Sequence, residues 1–90
     1  MNKIEIKYCK KCRWLLRSSW MAQEILSTFE DEVDELSLVP GTGGIFEITA
    51  NGQLIWSRKE MGGFPEIAEL KKRVRDIVAP DRNLGCIDSK

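Results

Sequence analysis

Residues 3–16 read KIEIKYCKKCRWLL, and the hydrophobic period changes within them. Polar and β-branched residues alternate over Lys3–Tyr8, which predicts a strand that ends at Cys9. From Arg13 to about residue 33 the chain has no Pro or Gly, and its apolar residues recur at helical spacing. The stretch therefore predicts a strand and a long helix, and the junction between them holds the Cys-x-x-Cys pattern of Cys9 and Cys12.

The helical segment predicts one buried and one exposed face. Its apolar stripe consists of Leu15, Ala22, Leu26, Phe29 and Val33, flanked by Trp14, Met21 and Ile25. Leu16 and Trp20 lie away from this stripe, beside the polar face. One of these two side chains is therefore a candidate contact surface.

The segment after the helix predicts a second strand at Leu36–Val39. A strand that follows a helix in this way favours a parallel pair with a right-handed crossover. Pro65 suits the first position of a second helix, because its φ is fixed and it lacks an N–H, and Pro80 ends that helix. The buried stripe of this helix consists of Ile67, Leu70, Val74, Ile77 and Val78.

Asn51-Gly52 lies between two alternating runs and predicts a β-hairpin with a type I′ turn. In a regular two-residue hairpin Ile48 pairs with Ile55, and Trp56 lies on the opposite, uncovered face of the sheet. The complete prediction is an α/β (α+β) fold of order β-α-β-β-β-α, with two helices packed on a four-stranded mixed sheet. The domain is predicted to span residues 1–80.

Composition limits the classes of function. The 90 residues suit one small domain, and 14 basic residues balance 14 acidic ones. This balance gives no reason to expect a nucleic-acid or anionic-membrane partner. No apolar run is long enough to span a bilayer, and the N-terminus lacks the apolar stretch of a signal peptide. We therefore expect a soluble, cytoplasmic protein.

The chain has three Cys and no His. The missing imidazole excludes His general bases and His-containing zinc sites. A zinc site built on Cys9, Cys12 and Cys86 would need a carboxylate or a second chain as its fourth ligand, so no metal is predicted. Residues 81–90 are predicted as a flexible tail. We interpret Cys86 in it as an incidental thiol, the alternative being an extra resolving thiol that folds back on the other two.

The placement of Cys9 and Cys12 favours redox chemistry over a pair of inert thiols. A helix N-terminus carries partial positive charge and free N–H groups, and Lys10, Lys11 and Arg13 add positive potential. In such settings a thiol pKa falls from about 8.5 towards 7 or lower. Two intervening residues also allow a small disulfide, so that one thiol can resolve a mixed disulfide formed by the other.

Further residues are candidate substrate or partner contacts. Gly43 and Gly44 could bring backbone close to a bound thiol substrate, although turn formation alone accounts for them. Trp14 could shield the disulfide or belong to the core, and Phe64 stands in a second glycine-containing loop.

The sequences YCKKCRW (residues 8–14) and GTGGIFEITANGQLIWSRKEMGGFPE (residues 41–66), with the closing helix, resemble the selenoprotein W-like family. This family, also called Rdx, includes selenoproteins T, W and H among thioredoxin-like proteins. The resemblance covers roughly residues 3–79. It implies a thioredoxin-like fold, a thiol oxidoreductase role and protein partners. It also implies glutathione as a co-substrate, with no bound cofactor.

Two departures from related proteins bear on the site. Many animal members of the family carry selenocysteine at the position of Cys12, which points to Cys12 as a reactive atom. In thioredoxins the first cysteine attacks, which would be Cys9 here, so the attacking thiol stays open. Thioredoxins also place a cis-proline before the third strand, where this chain reads TGGI at residues 42–45.

The sequence thus predicts a thiol–disulfide oxidoreductase or redox-regulatory protein that uses Cys9 and Cys12. Its expected partners are protein thiols, protein disulfides or glutathione, and no oligomeric state is predicted. The alternatives are a non-catalytic interaction module that docks through Trp20, Trp56 and the loops, and a Cys-ligated metal-binding protein.

Overall fold

The strands and helices follow the predicted order in the computed structural model, which describes residues 1–87, with one short helix added. They are β1 (Lys3–Cys9), α1 (Leu15–Thr28), β2 (Glu35–Gly41), β3 (Phe46–Ala50), β4 (Gln53–Ser57), α2 (Arg58–Met61) and α3 (Ile67–Val78). A 3₁₀ turn follows at Gly85–Ile87.

The strands form one four-stranded sheet in the order β2-β1-β3-β4. Strand β1 pairs in parallel with β2, with Ile6 opposite Leu38, and antiparallel with β3, with Ile6 opposite Ile48. Strands β3 and β4 form the antiparallel hairpin. The predicted mixed sheet, with its parallel pair across the first helix, is confirmed.

Helices α1 and α3 pack on the same face of the sheet. The strand side chains buried against them come from alternate positions, which all point to that face. The core consists of Ile4, Ile6, Tyr8, Met21, Ala22, Ile25, Phe29, Val33, Phe46, Ile48, Ala50, Ile55, Leu70 and Val74. An ion pair from Lys71 Nζ to Glu24 Oε1, 2.9 Å long, joins the two helices. The other strand positions, such as Glu5 and Lys7, stay partly exposed.

The buried face of α1 differs from the predicted stripe. Its buried residues are Ser18, Met21, Ala22 and Ile25. Leu15 and Leu26, both predicted to be buried, are 47% and 40% exposed. The prediction was wrong because Ser18 occupies a core-facing position, so apolar residues alone place the stripe too far round the helix. The exposure of Leu16 and Trp20 agrees with their predicted position away from the core.

Both long helices begin two residues later than predicted. Helix α1 begins at Leu15, because Arg13 has a left-handed backbone with φ of 63° that cannot belong to the helix. Helix α3 begins at Ile67, because Glu66 is extended, with φ of −66° and ψ of 146°. Pro65 therefore precedes the helix instead of opening it.

The hairpin turn is confirmed, but the predicted strand register is wrong. Asn51 and Gly52 have φ of 53° and 82°, as a type I′ turn requires. The register then shifts between Ile48 and Thr49, so Ile48 faces Trp56. A bulge of this kind leaves Ile55 as the extra residue.

This shift also corrects the predicted location of Trp56. Because its partner Ile48 is fully buried on the helix face, Trp56 lies on that face and not on the uncovered one. Its Nε1 donates to the carbonyl oxygen of Gly63 at 2.9 Å, and the guanidinium of Arg73 lies 5.1 Å from its ring centroid. Trp56 is therefore engaged within the fold.

Helix α2 was not predicted. The Ser57 hydroxyl accepts a hydrogen bond from the Glu60 N–H at 3.4 Å, and Gly62 ends the helix in a left-handed conformation. The Ser-x-x-Glu pattern at Ser57 and the later glycine were the available signals.

The segment after α3 contacts the end of α1. Arg82 Nη1 donates to the Thr28 carbonyl oxygen at 2.7 Å and to Glu32 Oε1 at 3.0 Å, and Leu84 packs against the core. The side chain of Cys86 and residues 88–90 lie outside the described part of the chain, so the predictions for them stay predictions. Across residues 1–87, no helix is long and apolar enough to cross a membrane.

Candidate functional site

The two cysteines of the Cys-x-x-Cys pattern lie at the end of β1. Cys9 is the last residue of the strand, and the Arg13 N–H donates to the Lys10 carbonyl oxygen at 3.2 Å to close the turn that follows. This turn brings the sulfur atoms of Cys9 and Cys12 to disulfide distance, with the two Cα atoms 5.3 Å apart. That Cα separation is within the usual range for a disulfide. The turn therefore holds the two cysteines at a separation that a disulfide can bridge.

The two cysteines differ in exposure. Cys9 is only 2% exposed, and it lies opposite Gly41 of β2. The neighbouring Lys10 N–H donates to the Gly41 carbonyl oxygen at 3.1 Å, which holds this end of β1 against the sheet. Cys12 is exposed. Cys12 is consequently the member of the pair that a large partner can reach first.

The turn lies before α1 and not within its first residues. Trp14 is the N-cap of the helix, with φ of −94° and ψ of 10° and no side-chain cap, so Cys12 precedes the helix. The effect of a helix dipole is confined to the terminal turn of the helix. The positive potential at Cys12 therefore depends more on the charged side chains beside it. Lys10, Lys11 and Arg13 are all exposed beside Cys12.

A surface pocket of about 600 Å³ opens beside this turn. It is lined by Lys10, Lys11, Arg13, Leu15 and Leu16. The lining combines three cationic side chains with two leucines and includes no carboxylate. Such a surface suits a ligand that has both negative charge and apolar groups.

A cluster of aromatic rings lies behind the turn. The ring of Phe64 meets those of Trp14 and Phe46 edge to face, with centroids 4.9 and 5.0 Å apart. Trp14 also meets Phe46 at 6.5 Å, and Phe46 is buried in the core. These contacts link the residue that opens α1 to the sheet. The predicted partner contacts of Trp14 and Phe64 stay predictions.

Two arginines stack on this cluster. The Arg17 guanidinium lies 4.1 Å from the Phe64 ring centroid, and that of Arg58 lies 4.9 Å from the Trp14 centroid and 5.2 Å from the Phe64 centroid. The Nε of Arg58 is buried and makes no hydrogen bond within the described residues. Sequence reasoning missed both arginines, because no local pattern joins Arg58 to residues so distant in the chain.

The predicted glycine contacts lie in the loop after β2. Gly43 and Gly44 have φ of 72° and 76°, a conformation that glycine adopts without strain. Residues 42–47, with Ser57 and Lys59, line a smaller pocket of about 290 Å³. The loop starts at Gly41, the partner of Cys9, so it lies at the same end of the sheet as the cysteine pair. A substrate contact at Gly43 and Gly44 stays a prediction.

Metal binding finds no support in the described side chains. They contain no group of three or more His, Cys, Asp or Glu residues that could hold a metal ion. The side chain of Cys86 lies outside these described residues.

Two solved bacterial structures are similar to this chain. The crystal structure of a selenoprotein W-related protein from Vibrio cholerae has a TM-score of 0.84 and 55% sequence identity, covering 86% of this chain and 96% of that one. A crystal structure from Bordetella parapertussis has a TM-score of 0.82 and 57% identity, covering 83% of this chain and 95% of that one.

Curated relatives are more distant in sequence. Migration and invasion enhancer 1 from Mus musculus is 34% identical over 74 residues, which are 80% of this chain and 61% of the relative. The Bos taurus protein of the same name is 33% identical over 73 residues, covering 81% of this chain and 62% of its own length. This chain thus spans about three fifths of the length of these two relatives.

The sequence model of the Rdx family matches residues 3–76, which include the whole sheet and the cysteine pair. This match confirms the resemblance inferred from the motifs, and the two crystal structures confirm the thioredoxin-like fold. The chain therefore belongs to the Rdx family of selenoprotein W-related proteins.

Proposed function

We propose that this protein exchanges thiols and disulfides, with Cys12 as the attacking thiol and Cys9 as the resolving one. The observation that carries the proposal is the difference in exposure within the pair. Cys12 is exposed, whereas Cys9 is 2% exposed at the end of β1. A partner sulfur must approach from solvent, so it meets the Cys12 sulfur first.

The reaction of the reduced protein begins when the Cys12 thiolate attacks one sulfur of a partner disulfide. A bond forms between Cys12 Sγ and that sulfur, and the other partner sulfur leaves as a thiolate with the bonding electrons. Cys9 then attacks Cys12 Sγ as a thiolate, closes the Cys9–Cys12 disulfide and releases the second partner thiolate. The partner gains two electrons and two protons, and the protein loses them. The reverse sequence oxidises two partner thiols.

The surroundings give the two thiols different roles. The exposed cations Lys10, Lys11 and Arg13 favour the charged form of the neighbouring Cys12 thiol. Cys9 is almost fully buried, and burial disfavours the charged form of a thiol, so Cys9 suits the second, resolving step better than the first attack. The Cα separation of 5.3 Å keeps Cys9 within reach for that second step.

The proposal includes protein disulfides and glutathione as partners, in the cytoplasm, without a bound cofactor. The competing proposal of a non-catalytic module loses one of its candidate contacts, because Trp56 is engaged by Gly63 and Arg73. Trp20 remains exposed and is considered below.

The test is equilibration of the protein in graded glutathione buffers, followed by rapid alkylation and mass analysis. We expect a Cys9–Cys12 disulfide in the original chain. Cys9→Ser should accumulate a glutathione adduct on Cys12, and Cys12→Ser should form an adduct on Cys9 much more slowly. All three proteins, including the one that keeps both Cys9 and Cys12, carry Cys86→Ser, so that the third thiol does not contribute.

Two results would contradict the proposal. If no Cys9–Cys12 disulfide forms at any buffer potential, the exchange function is wrong. If Cys9 in the Cys12→Ser variant reacts as fast as Cys12 in the Cys9→Ser variant, the assigned order of attack is wrong.

A further inference from the structure

Charge is distributed unevenly along α1, although the chain as a whole is neutral. Between Cys9 and Gln23 the sequence has no acidic residue, and its basic residues are Lys10, Lys11, Arg13 and Arg17. The opposite end of the helix is followed by Glu30, Asp31, Glu32, Asp34 and Glu35. The helix has 14 residues, so the two groups lie about 20 Å apart along its axis.

Within residues 1–87, no carboxylate neutralises the cations beside Cys12. Among residues 1–87, the carboxylates that form ion pairs do so with lysines and arginines elsewhere in the chain. No described carboxylate pairs with Lys10, Lys11 or Arg13, although all of them line the pocket of about 600 Å³. Their positive potential is therefore available to a ligand.

An apolar strip adjoins these charges on α1. Leu15 and Leu16, which line the same pocket, are 47% and 84% exposed. Trp20 follows Leu16 by one helical turn and is 49% exposed. Single exposed apolar residues are common, but neighbouring ones beside a charged pocket give a bound partner apolar surface to cover.

The length of this surface favours a peptide segment over glutathione as the ligand. Glutathione could place carboxylates near Lys10 and Lys11, but it has no apolar side chain for Leu16 and Trp20. Those two residues lie four positions, about 6 Å, apart along the helix axis, beyond the turn that holds Cys12. A longer peptide segment can cover the cations and the apolar strip together.

We infer that the pocket beside Cys12 docks an acidic segment of a partner protein that also carries an apolar side chain. This inference rests on the proposed exchange at Cys12 and adds the class of substrate. The docked segment holds its disulfide against Cys12 Sγ. The Cys12 thiolate bonds to the near sulfur, the far sulfur leaves as a thiolate, and Cys9 then displaces the segment as described above.

The test uses the reduced full chain and peptides of equal length, each with one cysteine joined to 2-thiopyridine as a mixed disulfide. Attack on the peptide sulfur releases pyridine-2-thione, which is followed by its absorbance. The first peptide contains glutamates and one leucine. The second has glutamine for each glutamate, and the third has serine for the leucine. Two small molecules, glutathione and its diamide analogue, carry the same leaving group and serve as a comparison pair.

Four protein forms are compared. They are the original chain, the double variant Lys10→Gln/Lys11→Gln, the single variant Leu16→Ser, and the charge-matched double variant Lys3→Gln/Lys72→Gln. The informative quantity is the ratio of second-order rate constants for two peptides. A change in the reactivity of Cys12 alters all rate constants together and leaves this ratio unchanged, whereas a loss of docking alters the ratio.

We expect the acidic peptide to react about tenfold faster than the glutamine peptide at low ionic strength. That preference should shrink with added salt, because screening shortens the range of the charges. It should fall about threefold in the Lys10, Lys11 variant and persist in the charge-matched control. Leu16→Ser should remove the preference for the leucine peptide over the serine peptide.

Three outcomes would overturn the inference. Equal rates for the acidic and glutamine peptides would disprove docking of an acidic segment, while the proposed exchange function would still stand. If the glutathione probe were preferred over its diamide analogue as strongly as the acidic peptide over the glutamine one, the pocket would select small anionic thiols instead. Absence of reaction with every probe would overturn the exchange function and the inference with it.

Discussion

The two ends of β1 are held in different ways. At its beginning, the Lys3 N–H donates to Asn51 Oδ1 at 2.8 Å, and Asn51 Nδ2 donates to Asn2 Oδ1 at 2.9 Å. The Asn2 N–H donates to Asp34 Oδ2 at 2.7 Å. At its other end, the described contacts of the turn that holds Cys9 and Cys12 are the sulfur pair and two backbone hydrogen bonds. Its cations form no ion pair with a carboxylate of residues 1–87.

This difference separates stability from reactivity within one strand. Side-chain hydrogen bonds between β1, the hairpin turn and the start of β2 restrain the first end. The second end leaves a thiol and positive charge open to solvent. Substitutions at the first end should therefore change the free energy of unfolding, and substitutions at the second end should change the rate of exchange.

The largest expected effect is at the reactive end. Cys12→Ser should reduce turnover with disulfide substrates to the uncatalysed rate, because it removes the attacking sulfur. Cys9→Ser should retain the first attack and stop at the mixed disulfide, which mass analysis detects. Single-turnover kinetics of both variants measure the two steps separately. Full turnover by Cys12→Ser would show that the exposed thiol of this end is not the attacking one.

The next effect concerns the opposite end. Asn51→Ala should lower the free energy of unfolding by about 2–3 kcal/mol, because it loses side-chain hydrogen bonds and strains a residue with positive φ. Asn51→Gly is the matched control, since glycine tolerates that φ, and it should lose about 1–2 kcal/mol. Urea unfolding of the reduced proteins gives both values. A large change in exchange rate in the folded variants would erase the contrast between the ends.

A smaller effect on stability is expected behind the cysteine turn. Arg58→Gln should lower the free energy of unfolding by about 1 kcal/mol, because it removes the cation stacked on Trp14 and Phe64. The neighbouring, exposed Lys59→Gln should change it by less than about 0.5 kcal/mol. If the two variants unfold at the same urea concentration, the stacked arginine adds nothing to the support of the turn.

The smallest expected effect is on the ionisation of the attacking thiol. Replacing Lys10 and Lys11 by glutamine should raise the pKa of the reduced Cys12 thiol, because nearby positive charge favours the thiolate. The alkylation rate plotted against pH should shift to higher pH, and the rate at pH 7 should fall about two- to threefold. Lys3→Gln with Lys72→Gln serves as control and should leave the curve in place. A shift in both variants would indicate a general charge effect and no special role for the turn.

The sequence predicted those features that depend on local pattern. The change from alternating to helical period placed the end of β1 at Cys9, and Asn51-Gly52 identified the turn. It failed where one residue breaks a pattern. Ser18 is polar but buried, so the pattern of apolar residues misplaces the buried face of α1. The bulge puts Trp56 on the helix face, and no sequence signature marks such an extra residue in a strand.

The candidate site was predictable only in part for a related reason. The cysteines and the cations of their turn are neighbours in sequence, so spacing alone brings them together. The pairing of Arg58 with Trp14 depends on packing between distant segments, which a single sequence does not reveal. The difference in exposure between Cys9 and Cys12 also depends on how the turn leaves the sheet.

The left-handed backbone of Arg13 has a consequence for how this position can vary over evolution. A non-glycine residue with φ of 63° costs roughly 1–2 kcal/mol relative to the right-handed region. Selection for stability alone would favour glycine or asparagine at this position. We therefore expect close relatives that depend on an acidic partner to retain a long cation at this position. Relatives that have lost such a partner should accumulate glycine.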